Sequence, residues 1–66
     1  MSKGSGLYDV TLIFIKRLPA SILVKELPDS EPFTLPLSQI EYVDAKKAGY
    51  VEVTMPEWLA NEKELI

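Results

Sequence analysis

The sequence predicts an α+β fold: a small twisted antiparallel sheet of about four strands, open or curled into a partial barrel, with a C-terminal helix packed on it. Three observations lead there. Tyr50 to Met55 alternates strictly, with Val51, Val53 and Met55 on one side and Tyr50, Glu52 and Thr54 on the other, the period of a half-buried strand. Two further apolar runs, 8–18 and 20–27, end at proline-marked turns. The last residues, from Pro56 onward, place Trp58, Leu59, Leu65 and Ile66 at helical intervals.

Each element follows from local chemistry. Residues 1–6 are polar and glycine-rich and read as a flexible leader, which leaves 7–66 as a single domain. In the first strand Val10, Leu12 and Phe14 point one way and Thr11, Ile13 and Ile15 the other. Both sets are largely apolar, so the strand is expected at the centre of the sheet, or covered on both sides. Pro19 ends it, because proline cannot donate to a ladder. The short link into 20–27 predicts a hairpin, and residues 28–32, with prolines at both ends, predict a turn. Phe33-Thr34-Leu35 lies between Pro32 and Pro36 and reads as an edge strand. Leu37 to Ile40 is a tight turn that plugs Leu37 or Ile40 into the core, Glu41-Tyr42-Val43 is at most a brief strand, and residues 44–49 form a loop whose Gly49 suits a positive φ. At the helix start Pro56 sits where its missing N–H does no harm, and Thr54 and Glu57 have capping-box spacing. Trp58 is expected to seal the helix onto the sheet; exposed, it would instead belong to a partner surface.

Composition removes whole classes of function. The chain has 66 residues, with no cysteine and no histidine. Disulfides, thiolate or imidazole metal sites and cysteine or histidine catalysts are therefore excluded. A domain this small buries only about 60% of its unfolded surface. A homo-oligomer or a bound protein is one way to add buried surface, and folding alone is the other. The five-residue apolar run 11–15 is too short for a signal peptide or a membrane span, so the expected location is the cytoplasm, away from membranes.

The remaining constellations are weak as chemistry. Glu41 with Asp44, and Asp29 with Glu31, read as solvated turn carboxylates, because a hard cation needs more convergent oxygens. Ser38 has no histidine partner, and three glycines cannot build a phosphate cradle. No catalytic, metal or cofactor-binding residue is assigned, and the expectation is a non-enzymatic protein. Nucleic-acid binding could use Tyr8, Phe14, Phe33, Tyr42 and Tyr50 with Lys16, Arg17, Lys25, Lys46 and Lys47. A net charge of −3 argues against it, and aromatics in strands usually serve the core. Protein binding remains. Its candidate residues are Tyr50, Glu52, Glu57, Trp58 and Glu62, and the strands around Phe33–Leu35 and Tyr50–Met55 are candidate edges for β-augmentation.

One resemblance sharpens this reading. Thr34-Leu35-Pro36-Leu37-Ser38-Gln39-Ile40, then Val51-Glu52-Val53-Thr54-Met55-Pro56-Glu57-Trp58-Leu59-Ala60 and Glu62-Lys63, is similar to small proteins encoded by bacteriophages and prophages. In those a PKSQI turn precedes a strand that runs into a PEWLAEEKGL tail. The similarity covers roughly the second half of the chain. It departs at Leu37, where the family has lysine, and at Glu64, where it has glycine; loss of that glycine favours a helix that continues to the end. The resemblance implies a phage-type accessory protein that binds a host or phage protein, for example by inhibiting a host defence or nucleic-acid enzyme such as a CRISPR effector. A small single-strand nucleic-acid-binding accessory protein for phage replication or recombination is the alternative.

Overall fold

A computed structural model describes residues 6–66, so the predicted leader lies outside the described residues except for Gly6. Five strands, a single 3-10 turn and one helix follow in the order β1 (Leu7–Arg17), β2 (Ser21–Lys25), β3 (Phe33–Pro36), the 3-10 turn (Leu37–Gln39), β4 (Glu41–Asp44), β5 (Tyr50–Pro56) and α1 (Glu57–Glu62). All neighbouring strands are antiparallel, in the order β3-β2-β1-β5-β4. The sheet therefore has five strands rather than four. The brief stretch 41–43 is a true strand, paired along its length with β5. That pairing also makes β5 an interior strand, so the second free edge is β4 and not Tyr50–Met55, while β3 is an edge as expected.

The central strand divides its partners. Residues Leu7 to Ile13 of β1 pair with β5, and Ile13 to Arg17 pair with β2, so Ile13 alone is paired on both sides. Between Phe14 and Lys16 the register with β2 slips, leaving Ile15 as the extra residue of a β-bulge. Bulges bend a strand and increase its twist. The sheet is thus two lobes, β4-β5-β1 and β1-β2-β3, joined at Ile13.

The sheet curls without closing. Five strands laid flat would set their outer members about 19 Å apart at the usual spacing. Only Leu37 to Ile40 lead from β3 to β4, the two opposite edges. Four residues reach about 14 Å when extended, and a 3-10 turn rises only about 2 Å per residue. The edges must approach, and the stack of Phe14 on Tyr42, ring centroids 6.3 Å apart and 16° from parallel, joins β1 to β4 across the width of β5.

One face of this sheet carries the core. Leu12, Ile22, Val24, Leu35, Val51, Val53 and Met55 come from the strands, Ile40 from the crossing, and Leu59, Ala60 and Leu65 from the C-terminal segment. Both Leu37 and Ile40 plug this core: Ile40 is buried and Leu37 packs against it. The Tyr8 hydroxyl donates to the Leu65 carbonyl oxygen at 2.9 Å, tying the start of β1 to the end of the chain.

The turns agree with their residues. Ser30 N–H donates to the Leu27 carbonyl at 2.9 Å, which closes a β-turn with Pro28 at its second position. In the β4–β5 turn Tyr50 N–H donates to Lys47 O at 3.1 Å, and Gly49 takes φ +85°. A Cβ there would meet nothing within 4 Å, so the backbone angle alone demands glycine.

The helix ends differ from expectation. No side chain caps the start: Thr54 Oγ1 donates to Asp9 Oδ1 at 2.7 Å instead, and the Glu57 N–H is satisfied by the Gly6 carbonyl at 2.7 Å. Thr54 lies in β5, with its side chain held across the ladder, so the capping box does not form. Nor does the helix run to the terminus. Leu65 N–H donates to Ala60 O at 2.8 Å and Glu64 N–H to Asn61 O at 3.0 Å, with Glu64 at φ 60°. This is a Schellman stop with glutamate in the left-handed position that glycine prefers. It swings Leu65 into the core, and that burial is what holds the unfavourable backbone angle.

Two substitutions test these turns in urea denaturation. Gly49→Ala is expected to destabilise by about 1–2 kcal/mol, since an L-residue must adopt a positive φ. Glu64→Gly is expected to stabilise by about 0.5–1 kcal/mol, the strain relieved less the added freedom of the unfolded chain.

Candidate functional site

The second face of the sheet has no helix on it among the described residues. Because opposed residues share a face, the register defines its surface. Leu7, Asp9, Thr11 and Ile13 of β1 lie beside Pro56, Thr54, Glu52 and Tyr50 of β5, with Glu41 and Val43 of β4 beyond. On the other lobe Ile13 lies beside Lys25, and Lys16 beside Leu23. Ile13, Leu23 and Tyr50 are half-buried although no layer covers them. The Lys47 ammonium sits 4.7 Å from the centre of the Tyr50 ring, a cation–π contact at the same place.

Charge on this open face is segregated. Asp9, Glu41 and Glu52 belong to the β4-β5-β1 lobe, where Asp9 and Glu52 line a shallow depression of about 380 Å³ with Thr11 and Thr54. Lys16 and Lys25 belong to the β1-β2-β3 lobe, with Lys47 over Tyr50 at the boundary. The Lys25 ammonium donates to the Pro28 carbonyl at 2.8 Å, which fixes its position.

The five residues singled out in the sequence fall on two surfaces. Tyr50 and Glu52 lie on the open face. Glu57, Trp58 and Glu62 lie on α1, which packs on the core face through Leu59 and Ala60. Trp58 does not seal the helix: it is 56% exposed, and the smaller Leu59 and Ala60 make the contact. A helix of six residues leaving a strand has room for one buried pair, and the first turn rotates Trp58 outward. At this end of the molecule Trp58 is accompanied by Leu7 and Ile66, both more than half exposed. The Glu57 to Gly6 and Tyr8 to Leu65 hydrogen bonds tie these chain segments together, with Leu7 itself on the open face beside Pro56.

Sequence reasoning missed Ile13 and Leu23 as surface residues, while Lys16 and Lys25 entered it only as candidates for nucleic-acid contact. The signal was present as the apolar second side of β1, which reads equally well as a strand covered on both sides. The carboxylate pairs do not converge: Glu41 opposes Thr54 and Asp44 opposes Val51, on opposite faces of β4. Among the described residues there is no group of three or more metal-ligating side chains. Of the five aromatics considered for base stacking, Tyr8, Phe14, Phe33 and Tyr42 pack against the core, which leaves Tyr50 on the open face. No helix among the described residues is long and apolar enough to cross a membrane.

Comparison of the chain with protein-family models, with curated proteins and with solved structures finds no match.

The two positions in α1 separate cleanly by stability. Trp58→Ala is expected to cost less than about 1 kcal/mol, as a surface substitution does. Leu59→Ala is expected to cost about 2–5 kcal/mol by opening a cavity under the helix. Both are read by chemical denaturation.

Proposed function

We propose that the chain is a non-enzymatic binding protein whose target contact is the α1 surface, with Trp58 as its anchor. The observation that supports this is the exposure of the largest side chain in the protein over a core that is complete without it. Tryptophan is the residue type most enriched where binding energy concentrates, and a cluster of exposed apolar groups rimmed by charge is the usual anatomy of a contact surface. Here Ile66, near the same end of the chain, is also exposed, and Glu57 and Glu62 place acidic charge on the helix beside Trp58. Such a rim favours a target with a basic surface and speeds the encounter with it. The resemblance of the C-terminal half to phage-encoded proteins supports a specific form of this role: an accessory protein that blocks a host defence or nucleic-acid enzyme, such as a CRISPR effector, by occupying a basic nucleic-acid site.

The test is affinity capture from a bacterial lysate treated with nuclease, followed by mass spectrometry, with the wild-type chain and Trp58→Ala in parallel. The expected outcome is one protein retained in near-equal amount by the wild type and lost by at least about tenfold with Trp58→Ala, the scale of a central anchor residue. Equal retention by the variant overturns the assignment of the surface. Loss of all retained material on nuclease treatment overturns protein binding in favour of single-strand nucleic-acid binding, for which Tyr50 with Lys16, Lys25 and Lys47 is the available platform.

A further inference from the structure

We propose that the open face of the sheet is a self-association surface, on which two copies of the chain pack face to face about a two-fold axis near Ile13. Four observations carry this. The face is uncovered, and its centre is apolar, with Ile13, Leu23 and Tyr50 half-buried in the single chain. Its two ends have opposite charge, Asp9, Glu41 and Glu52 on one lobe and Lys16, Lys25 and Lys47 toward the other. The lobes meet at Ile13, the one residue of β1 paired on both sides. The α1 surface lies behind the opposite face, so the association leaves Trp58 free.

The charge pattern selects the occupant. A two-fold contact places the same patch on both sides, so it must be complementary to itself after rotation. A face of one sign fails that condition. This face meets it, because rotation about an axis through its centre carries the acidic lobe of one copy onto the basic lobe of the other, twice over. The two β1 strands then run antiparallel, and the sheets pack as layers about 10 Å apart within about 30° of alignment. The molecule measures 32 × 24 × 20 Å, which caps the contact at the size of one side of a standard interface, roughly 800 Å². The curl of the sheet away from the open face makes it smaller still, the size class of weak and reversible contacts.

Sedimentation velocity across roughly 1–200 μM tests this, a span that brackets micromolar dissociation. The wild type is expected to shift from monomer to dimer. Lys16→Glu with Lys47→Glu makes both lobes acidic, and Asp9→Lys with Glu52→Lys makes both basic. Each variant alone is expected to dissociate at least about tenfold more readily, because like charges then face each other. An equimolar mixture of the two is expected to regain dimers, since each altered lobe again meets its opposite. A second measurement does not depend on those variants. The chain has no cysteine, so Thr11→Cys, beside the axis, is expected to give a covalent dimer with a bis-maleimide linker long enough to span sheets about 10 Å apart, and Asp29→Cys in the β2–β3 turn is not. A wild type that stays monomeric at the highest concentration, a mixture that stays monomeric, or equal cross-linking of both cysteine variants overturns the proposal. Capture of a target through Trp58 stands or falls independently of any of these results.

Discussion

Every layer of this molecule depends on how β1 shares its backbone. An interior strand must satisfy hydrogen-bonding groups along both edges, and β1 does so by giving its first half to β5 and its second half to β2. That division staggers the sheet, and the bulge at Ile15 bends it at the point of exchange. The bend brings β3 and β4 close enough for four residues to bridge them, and the bridge delivers Leu37 and Ile40 to the core. A straight β1 paired along its whole length with both neighbours would flatten the sheet, strand that crossing, and leave the core without its floor.

The same division sets where the core can be. A curled sheet of this size encloses one side only, and the described residues offer just one short helix to place there. Leu59, Ala60 and Leu65 fill that side, and the Schellman stop at Glu64 is the device that turns Leu65 inward. Burial of a leucine is worth about 1.5–3 kcal/mol, more than the roughly 1–2 kcal/mol of a non-glycine residue in the left-handed region. The balance explains how a glutamate serves where glycine is the usual choice.

Much of this fold is legible in the sequence. The alternation of 50–55 and the prolines at 19, 28, 32, 36 and 56 mark strands and turns correctly, because both signals are local. The misses are non-local. Nothing near Glu41-Tyr42-Val43 reveals that β5 lies beside it, and that pairing is what makes it a strand. Thr54 has the spacing of a cap, but it belongs to Asp9, 45 residues away. Trp58 is the largest apolar side chain in the helix, yet the rotation of α1 as it leaves β5 decides exposure, and two smaller residues take the buried positions. At the candidate surfaces the residue types were legible and their grouping was not: Tyr50 and Glu52 read as neighbours of Trp58 along the chain, but the sheet stands between them.

A strand that is apolar on both sides, in a sheet with one covered face, leaves a specific physical imbalance. Ile13 and Leu23 lie on the uncovered side while the opposite side of the same strands carries the core residues Leu12, Ile22 and Val24. In an antiparallel sheet with one solvated face the outward positions are normally polar, and Thr11, Glu52 and Thr54 obey that rule on the acidic lobe. The departures are Ile13 and Leu23 at the junction of the lobes, where the charge changes sign, and Leu7 and Val43 at the rim of the acidic lobe. The apolar pair at the line between an acidic and a basic half fits the proposed two-fold contact, apolar near the axis and complementary on either side. In the proposed dimer Trp58 stays outward on each copy, on the side away from the Ile13 junction.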